Sequence, residues 1–338
     1  MLHDVEIWSN MGVEVINVGW NGGYMASKNT YFFEVKLFHQ NQEVEYSRIK
    51  EVLSNIIEQR TVLFDNYRSL DVTPYDEEMH LVMDIYNYAE NFLFARMSKQ
   101  KPSNSMVQHD YRTFEKEDVL PGNNENERGI EQYTYGMLMY ETGIFMLAST
   151  QGAPTEKIVS NIFSLYAPEY SVELTAIPNE RAIESIYEGN ESQITKLEIE
   201  VPLPNLGTLE NVFNWNEDEL LEVIGERNLN ATIVLKPLTR KSITENEEET
   251  RKLVDIIKGG LTGYNKAKMK AKAQNMKLRE YNFFDDKFSY PIDINISYIR
   301  DQEVIYYTVE QLVDIYRTKM RNAYYENVAL LRMITDRN

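Results

Sequence analysis

The sequence predicts a mixed α/β (α+β) fold with two sheet-containing units and a long C-terminal helix. Segments in which apolar and polar residues alternate, as in strands, are interspersed with segments that have the 3.6-residue period of amphipathic helices. After about residue 191 the order is strand, helix, strand and helix, which is typical of a layered domain. The chain has 338 residues, which is enough for two domains.

An N-terminal α/β domain is predicted over residues 31–190, after an N-terminal extension over residues 1–30. Residues 46–59 are predicted to form an amphipathic helix, because their aliphatic side chains recur at helical spacing. A helix is also predicted over residues 154–165, because Pro154 is tolerated in a first turn, and a short one over 179–187. The predicted strands cover residues 31–38, 61–66, 79–87, 92–97, 131–139, 142–149 and 170–177. The polar, turn-rich residues 98–128 are predicted to be loop.

A C-terminal α/β domain is predicted over residues 191–338. Its predicted helices are 216–226, capped by Asn216, and 244–258, whose acidic first turn suits the helix dipole. The predicted strands cover residues 194–201, 231–236, 295–300 and 303–308. The last helix, predicted over 309–333, carries one apolar stripe. We expect this stripe to be buried on its own domain or across a two-fold interface, and we predict a homodimer.

Composition and motifs exclude several classes of protein. The chain has no cysteine, which excludes disulfides, thiolate nucleophiles and Cys-ligated zinc. No apolar run reaches the ~20 residues of a membrane helix, and no secretory signal is recognised, so we expect a cytoplasmic protein without direct membrane insertion. The four histidines lack metal-ligand spacing, and phosphate-binding loops and nucleophile elbows are absent. No cofactor, metal or catalytic residue is predicted, and a protein without enzymatic activity is favoured.

A basic segment interrupts this acidic chain. Residues 258–279 contain seven lysines and arginines and no acid, although the formal net charge of the chain is −18. Local potential, rather than net charge, decides whether a surface attracts a phosphate backbone. The alternative is a solvated face, or a partner for the acidic residues 245–249. The predicted nucleic-acid contacts are Arg240, Lys241, Lys266, Lys268, Lys270, Lys272, Lys277 and Arg279.

The order of motifs is similar to that of a known family. A polar loop follows Phe92-Leu93-Phe94. A hairpin strand then leads into a helix at 142–163, with the sequence TGIFMLASTQGAPTEKIVSNIF, and a later strand ends in ATIVLKP at 231–237. A basic connection and a long terminal helix follow. This layout resembles the RexA-like prophage exclusion proteins, and more distantly the Kiwa defence protein KwaB. The resemblance implies a cytoplasmic, dimeric, non-enzymatic DNA-binding sensor of phage infection that acts with a membrane-embedded effector.

Two other functions remain open from the sequence. Asp84, Glu90 and the pair Asp285-Asp286 could hold Mg²⁺ in a metal-dependent nuclease. The Glu-x-Lys string at residues 34–36 fits such an enzyme, but alternation also makes it one solvated face of a strand. The second alternative is an acidic protein-interaction or inhibitor module. Salt-dependent binding of duplex DNA separates DNA binding from the interaction module, and Mg²⁺-dependent cleavage identifies the nuclease.

Overall fold

The computed structural model shows helices and strands in several sheets together with a long C-terminal helix, which confirms the predicted mixed α+β class. It describes residues 16–18, 24–102, 106–119, 129–184, 186, 193–203, 229–238, 241–261, 264, 266–272 and 278–335. Its helices are α1 (Tyr46–Arg60), α2 (Lys157–Tyr166), α3 (Asn179–Glu184), α4 (Glu247–Gly260) and α5 (Val309–Ile334).

The strands pair in antiparallel fashion throughout the described residues. In chain order they are β1 (Ile16–Val18), β2 (Tyr24–His39), β3 (Gln42–Glu43), β4 (Val62–Leu63), β5 (Arg68–Asp71), β6 (Leu81–Asn87), β7 (Phe92–Lys101), β8 (Val107–His109), β9 (Lys116–Asp118), β10 (Ile130–Met139), β11 (Ile144–Ala148), β12 (Tyr170–Ala176), β13 (Gln193–Leu203), β14 (Leu229–Leu235), β15 (Lys266–Lys272), β16 (Arg279–Asn282), β17 (Ser289–Asn295), β18 (Ser297–Arg300) and β19 (Glu303–Tyr306).

The chain divides into two compact units by its internal contacts. The first unit is Met1–Ala176 with Ser289–Tyr325, and the second is Ile177–Phe288 with Glu326–Asn338. The division that the sequence places near residue 190 stays a prediction, and residues 187–192 lie outside the described residues.

The first unit is organised around strand β2. This 16-residue strand pairs with β1, β3, β11, β12 and β17, and from β11 the sheet continues through β10, β7, β6 and β5 to β4. Residues 24–30, which the sequence assigned to an N-terminal extension, belong to β2, where residues 25–31 pair with β17. Strand β2 therefore holds together segments from both ends of the chain.

Helices cover both faces of this sheet. On one face, Leu53 of α1 and Val159 of α2 share an apolar core with Val35 and Leu37 of β2. On the other, the ring of Tyr316 in α5 stacks on Tyr135 of β10, with centroids 4.3 Å apart. The apolar periods of α1 and α5 in the sequence correspond to these buried faces.

The predicted stripe of α5 is buried within the single chain. Val313, Tyr316, Met320, Tyr324 and Leu331 are buried. Leu312 and Val328, which the sequence also placed in the stripe, are only partly buried, so the prediction is confirmed for most of the stripe and not for all of it. The hydroxyl of Tyr324 also lies 2.9 Å from that of Thr142 in the first unit. These side chains are enclosed by their own chain, so the homodimer stays a prediction that the stripe does not support.

The second unit contains a four-stranded sheet in the order β14, β13, β15 and β16. Its helix α4 begins after Asn246, whose side chain accepts a hydrogen bond of 2.9 Å from the backbone N–H of Glu249. Three glutamates form the first turn of α4, as the sequence indicated, and they complement the positive end of the helix dipole.

Several local predictions are wrong. Residues 98–101 continue strand β7 instead of starting a loop, because they pair with residues 130–133 of β10, and this tertiary pairing outweighs their polar composition. Strands β8 and β9 form a hairpin in the same predicted loop. Helix α2 begins at Lys157, three residues after Pro154. The helix predicted over 216–226 lies outside the described residues.

Candidate nucleic-acid interface

The basic segment forms the β15 strand, and strand alternation places its lysines on one side. Ala267, Met269 and Ala271 are fully buried, whereas the lysines between them point to the opposite face. The lysines that alternate with these buried residues are Lys266, Lys268, Lys270 and Lys272.

The neighbouring strands add both positively and negatively charged side chains to this face. In the register of the sheet, Lys268 lies opposite Glu198 of β13, and Lys270 lies between Lys196 of β13 and Glu280 of β16. Directly opposed residues of antiparallel strands share a face. We call this surface the lysine face. It consists of Lys196, Lys266, Lys268, Lys270 and Lys272 with Glu198, Glu200 and Glu280.

Glu198 is the most strongly held acid of the lysine face. Its carboxylate pairs with the ammonium groups of Lys196 and Lys266, the latter at 2.5 Å. Hydrogen bonds from Lys196 and Lys266 lower the pKa of Glu198 to about 2, because they stabilise the charged carboxylate. The same contact raises the pKa of Lys266. These two lysines are therefore engaged within the protein.

The remaining lysines differ in their partners. Lys268 Nζ lies 2.7 Å from Glu280 Oε1, and both side chains are partly exposed. Lys270 and Lys272 are exposed, and neither forms an ion pair with another residue in the part of the chain that the structure describes. The accessible positive charge is therefore concentrated at the C-terminal end of β15.

Arg279 does not belong to the lysine face, which corrects the grouping made from the sequence. It lies opposite Ala271 in the register, so its side chain points to the buried side of the sheet, and it is only 8% exposed. Its guanidinium carbon lies 4.6 Å from the ring centroid of Tyr281 and 4.9 Å from that of Phe288. Its Nη1 donates a 2.5 Å hydrogen bond to Asn327 Oδ1. Arg279 is thus a buried structural residue.

The other predicted contacts are only partly described. Lys241 is exposed, whereas Arg240 and Lys277 lie outside the described residues. Lys258, which begins the basic segment, is held by Glu180 at 3.0 Å and by Glu184 at 3.6 Å. Lys196 was missed from the sequence, although strand alternation places it on the face opposite the buried Leu197.

Two of the acids considered for a nuclease have other partners. Asp84 is buried and accepts hydrogen bonds from Ser69 at 2.8 Å and from Arg96 Nη2 at 2.6 Å. Glu34 Oε1 lies 3.7 Å from Lys36 Nζ on the same strand. Within the described ranges, no group of three or more His, Asp or Glu side chains is placed to hold a metal ion. This finding gives no structural support to a nuclease centre in those ranges.

Comparisons with family models and with curated proteins give no relative from which a function could be transferred. No family model matches the chain, and no curated protein matches it. Among the helices in the described part of the chain, none combines the length and apolar character needed to cross a membrane.

Proposed function

We propose that this protein is a nucleic-acid-binding component of an anti-phage defence or prophage exclusion system, and that it binds the phosphate backbone through its lysine face. The observation that carries this proposal is the pair Lys270 and Lys272. Both are exposed on one side of β15, and neither pairs with an acid among the described residues. An anionic ligand can approach them without first displacing a protein carboxylate.

Recognition by this face is expected to tolerate many nucleotide sequences. Lysine ammonium groups act as point charges, and they lack the planar fork with which arginine recognises guanine. Alternate residues of a strand are ~6.7 Å apart, so the lysines form a linear row. Such a row supports contacts with successive phosphates of one chain. Affinity should fall with salt, with a log-log slope of about −0.9 for each neutralised phosphate of duplex DNA.

The resemblance to RexA-like proteins supplies the proposed cellular role. On this proposal the protein acts in the cytoplasm as a homodimeric sensor of infection, without catalysis, and transmits the signal to a membrane-protein effector. A gene for a multi-span membrane protein beside its own gene would support this role. Sedimentation of the purified protein at micromolar concentration tests the dimer.

One observation favours a second candidate function, a protein-interaction module. Glu198, Glu200 and Glu280 lie among the lysines, and they reduce the positive potential that a nucleic acid would meet. A surface of mixed charge is suited to a protein partner with the complementary pattern. We rank this function second, because Lys270 and Lys272 have no such acid as an ion-pair partner within the described residues.

The test is a titration of labelled duplex DNA at about 50 and about 200 mM salt. The variant Lys270→Glu/Lys272→Glu should lose binding at both salt concentrations while it unfolds at the same temperature as the wild type. A variant Lys116→Glu/Lys252→Glu is the matched control, because it changes the charge equally at exposed lysines that are not on the lysine face. Equal affinity of both variants, or no binding by the wild type at low salt, would favour the protein-interaction module.

A further inference from the structure

The lysine face contains an acid in a position to compete with a bound phosphate. Glu280 Oε1 lies 2.7 Å from Lys268 Nζ, and in the strand register Glu280 is directly opposite Lys270. The carboxylate of Glu280 therefore neutralises Lys268. It also lies beside Lys270, which has no ion-pair partner among the described residues. A phosphate that binds Lys268 must replace this carboxylate, and a phosphate at Lys270 must approach it closely.

Two acids of the lysine face, Glu198 and Glu280, differ in how firmly they are held. Glu198 is shared by Lys196 and Lys266, and both contacts favour its charged form, so it remains in place when an anion approaches. Among the described residues Glu280 forms an ion pair only with Lys268, and its side chain is 47% exposed. Ion pairs of such exposure are weak and are readily exchanged for other partners. Glu280 is therefore an exchangeable acid of the face.

We infer that Glu280 makes the lysine face selective for a chain of linked phosphates over single phosphates. A single phosphate gains one ammonium contact and meets the repulsion of Glu280. A phosphodiester chain first binds Lys272 and Lys270, and its next phosphate then competes for Lys268 at the high effective concentration that linkage provides. The ligand class is thus a linear polyphosphodiester, single-stranded or duplex, rather than a mononucleotide. This inference rests on the function proposed above.

The experiment compares Glu280→Gln with a matched control. Glu248→Gln removes the same charge and breaks a Lys–Glu pair of equal length, Lys252 Nζ to Glu248 Oε1 at 2.7 Å, but it lies on α4. Fluorescein-labelled oligothymidylates of about 3, 6 and 12 nucleotides and a ~20-base-pair duplex serve as probes in anisotropy titrations at about 50 mM salt. Thermal unfolding of each variant checks that the protein is folded, and Glu280→Ser is a second variant that also removes the carboxylate.

Glu280→Gln should tighten binding of the ~12-nucleotide probe about two- to fivefold, as expected for removing one exposed competing charge. It should also bring the shortest probe into the measurable range, whereas Glu248→Gln should match the wild type. If only the Glu280 variants bind, the wild-type face does not bind nucleic acid, and this result would overturn both the inference and the proposed function. If all the proteins bind the probes, and Glu280→Gln and Glu248→Gln bind with equal affinity, this inference is overturned and the proposed function stands. No binding by any of them would overturn both.

Discussion

Replacement of Arg279 should destabilise the second unit and should not act primarily on nucleic-acid binding. In Arg279→Ala the guanidinium is lost from between the rings of Tyr281 and Phe288, and Asn327 loses its 2.5 Å hydrogen bond. A hydrogen bond to a charged group contributes about 1.5–3 kcal/mol, and each cation–π contact about 0.5–1 kcal/mol or more when desolvated. The free energy of unfolding should therefore fall by about 2.5–5 kcal/mol.

The measurement is urea unfolding followed by circular dichroism, with hydrogen exchange of the β16 amides to locate the effect in the second unit. Arg251→Ala is the matched control. Arg251 is an exposed arginine paired with Glu247 one turn earlier on α4, and its loss should cost only about 0.3–0.5 kcal/mol. Arg279→Lys keeps the charge but loses the planar group that lies against the rings, so an intermediate loss is expected.

The reasoning about Arg279 would be refuted by either of two results. One is an Arg279→Ala protein as stable as Arg251→Ala, which would mean that the buried contacts contribute little. The other is a loss of DNA affinity with unchanged stability, which would return Arg279 to the binding surface. A double-mutant cycle with Asn327→Ala separates the hydrogen bond from the ring contacts, and a coupling energy of about 1–3 kcal/mol is expected.

Two further predictions concern ion pairs. The pKa of Glu198 is lowered to about 2 from its usual 4.5. The stability that Glu198 contributes is therefore present above about pH 4.5 and is lost as the pH falls through about 2. A carboxyl NMR titration measures this pKa, and a Glu198 midpoint near 4.5 in the wild type would contradict the prediction. In Arg96→Ala the buried carboxylate of Asp84 keeps its hydrogen bond from Ser69 but loses its cation. The free energy of unfolding, measured with urea, should fall by about 3–5 kcal/mol. Changing both Asp84 and Arg96 to leucine should lower it less, and equal losses would show that burial of the unpaired charge is not the cause.

Local periodicity explains which elements could be predicted from the sequence. The apolar periodicity of a helix or strand is complete within one continuous segment in α1, in the β10–β11 hairpin and in α5. These elements begin and end close to the predicted limits. The fold class follows from such patterns. Strand β17 was missed, because its partner β2 lies at the other end of the chain and no local signal records that pairing.

In the candidate site, too, local patterns could be predicted from the sequence and long-range pairing could not. The lysines of β15 could be assigned to one face by alternation alone, since their strand period is local. The glutamates opposite them could not, because the β13–β15–β16 register sets which acid meets which lysine. Arg279 was misplaced for a related reason. A run of basic residues looks continuous in the sequence, whereas β15 and β16 present Arg279 and the lysines to opposite faces.

The position of β17 on β2 has a consequence for how the protein is made. The backbone N–H of Tyr24 donates to the hydroxyl of Ser297 at 2.7 Å, although the two residues are 273 positions apart. During synthesis on the ribosome, residues 25–31 of β2 therefore cannot pair along this edge until β17 has emerged. Contacts of such long range slow folding, and an unpaired edge offers a template for association with other chains. Nascent chains halted before residue 289 should consequently depend on chaperones and aggregate more readily than the finished protein.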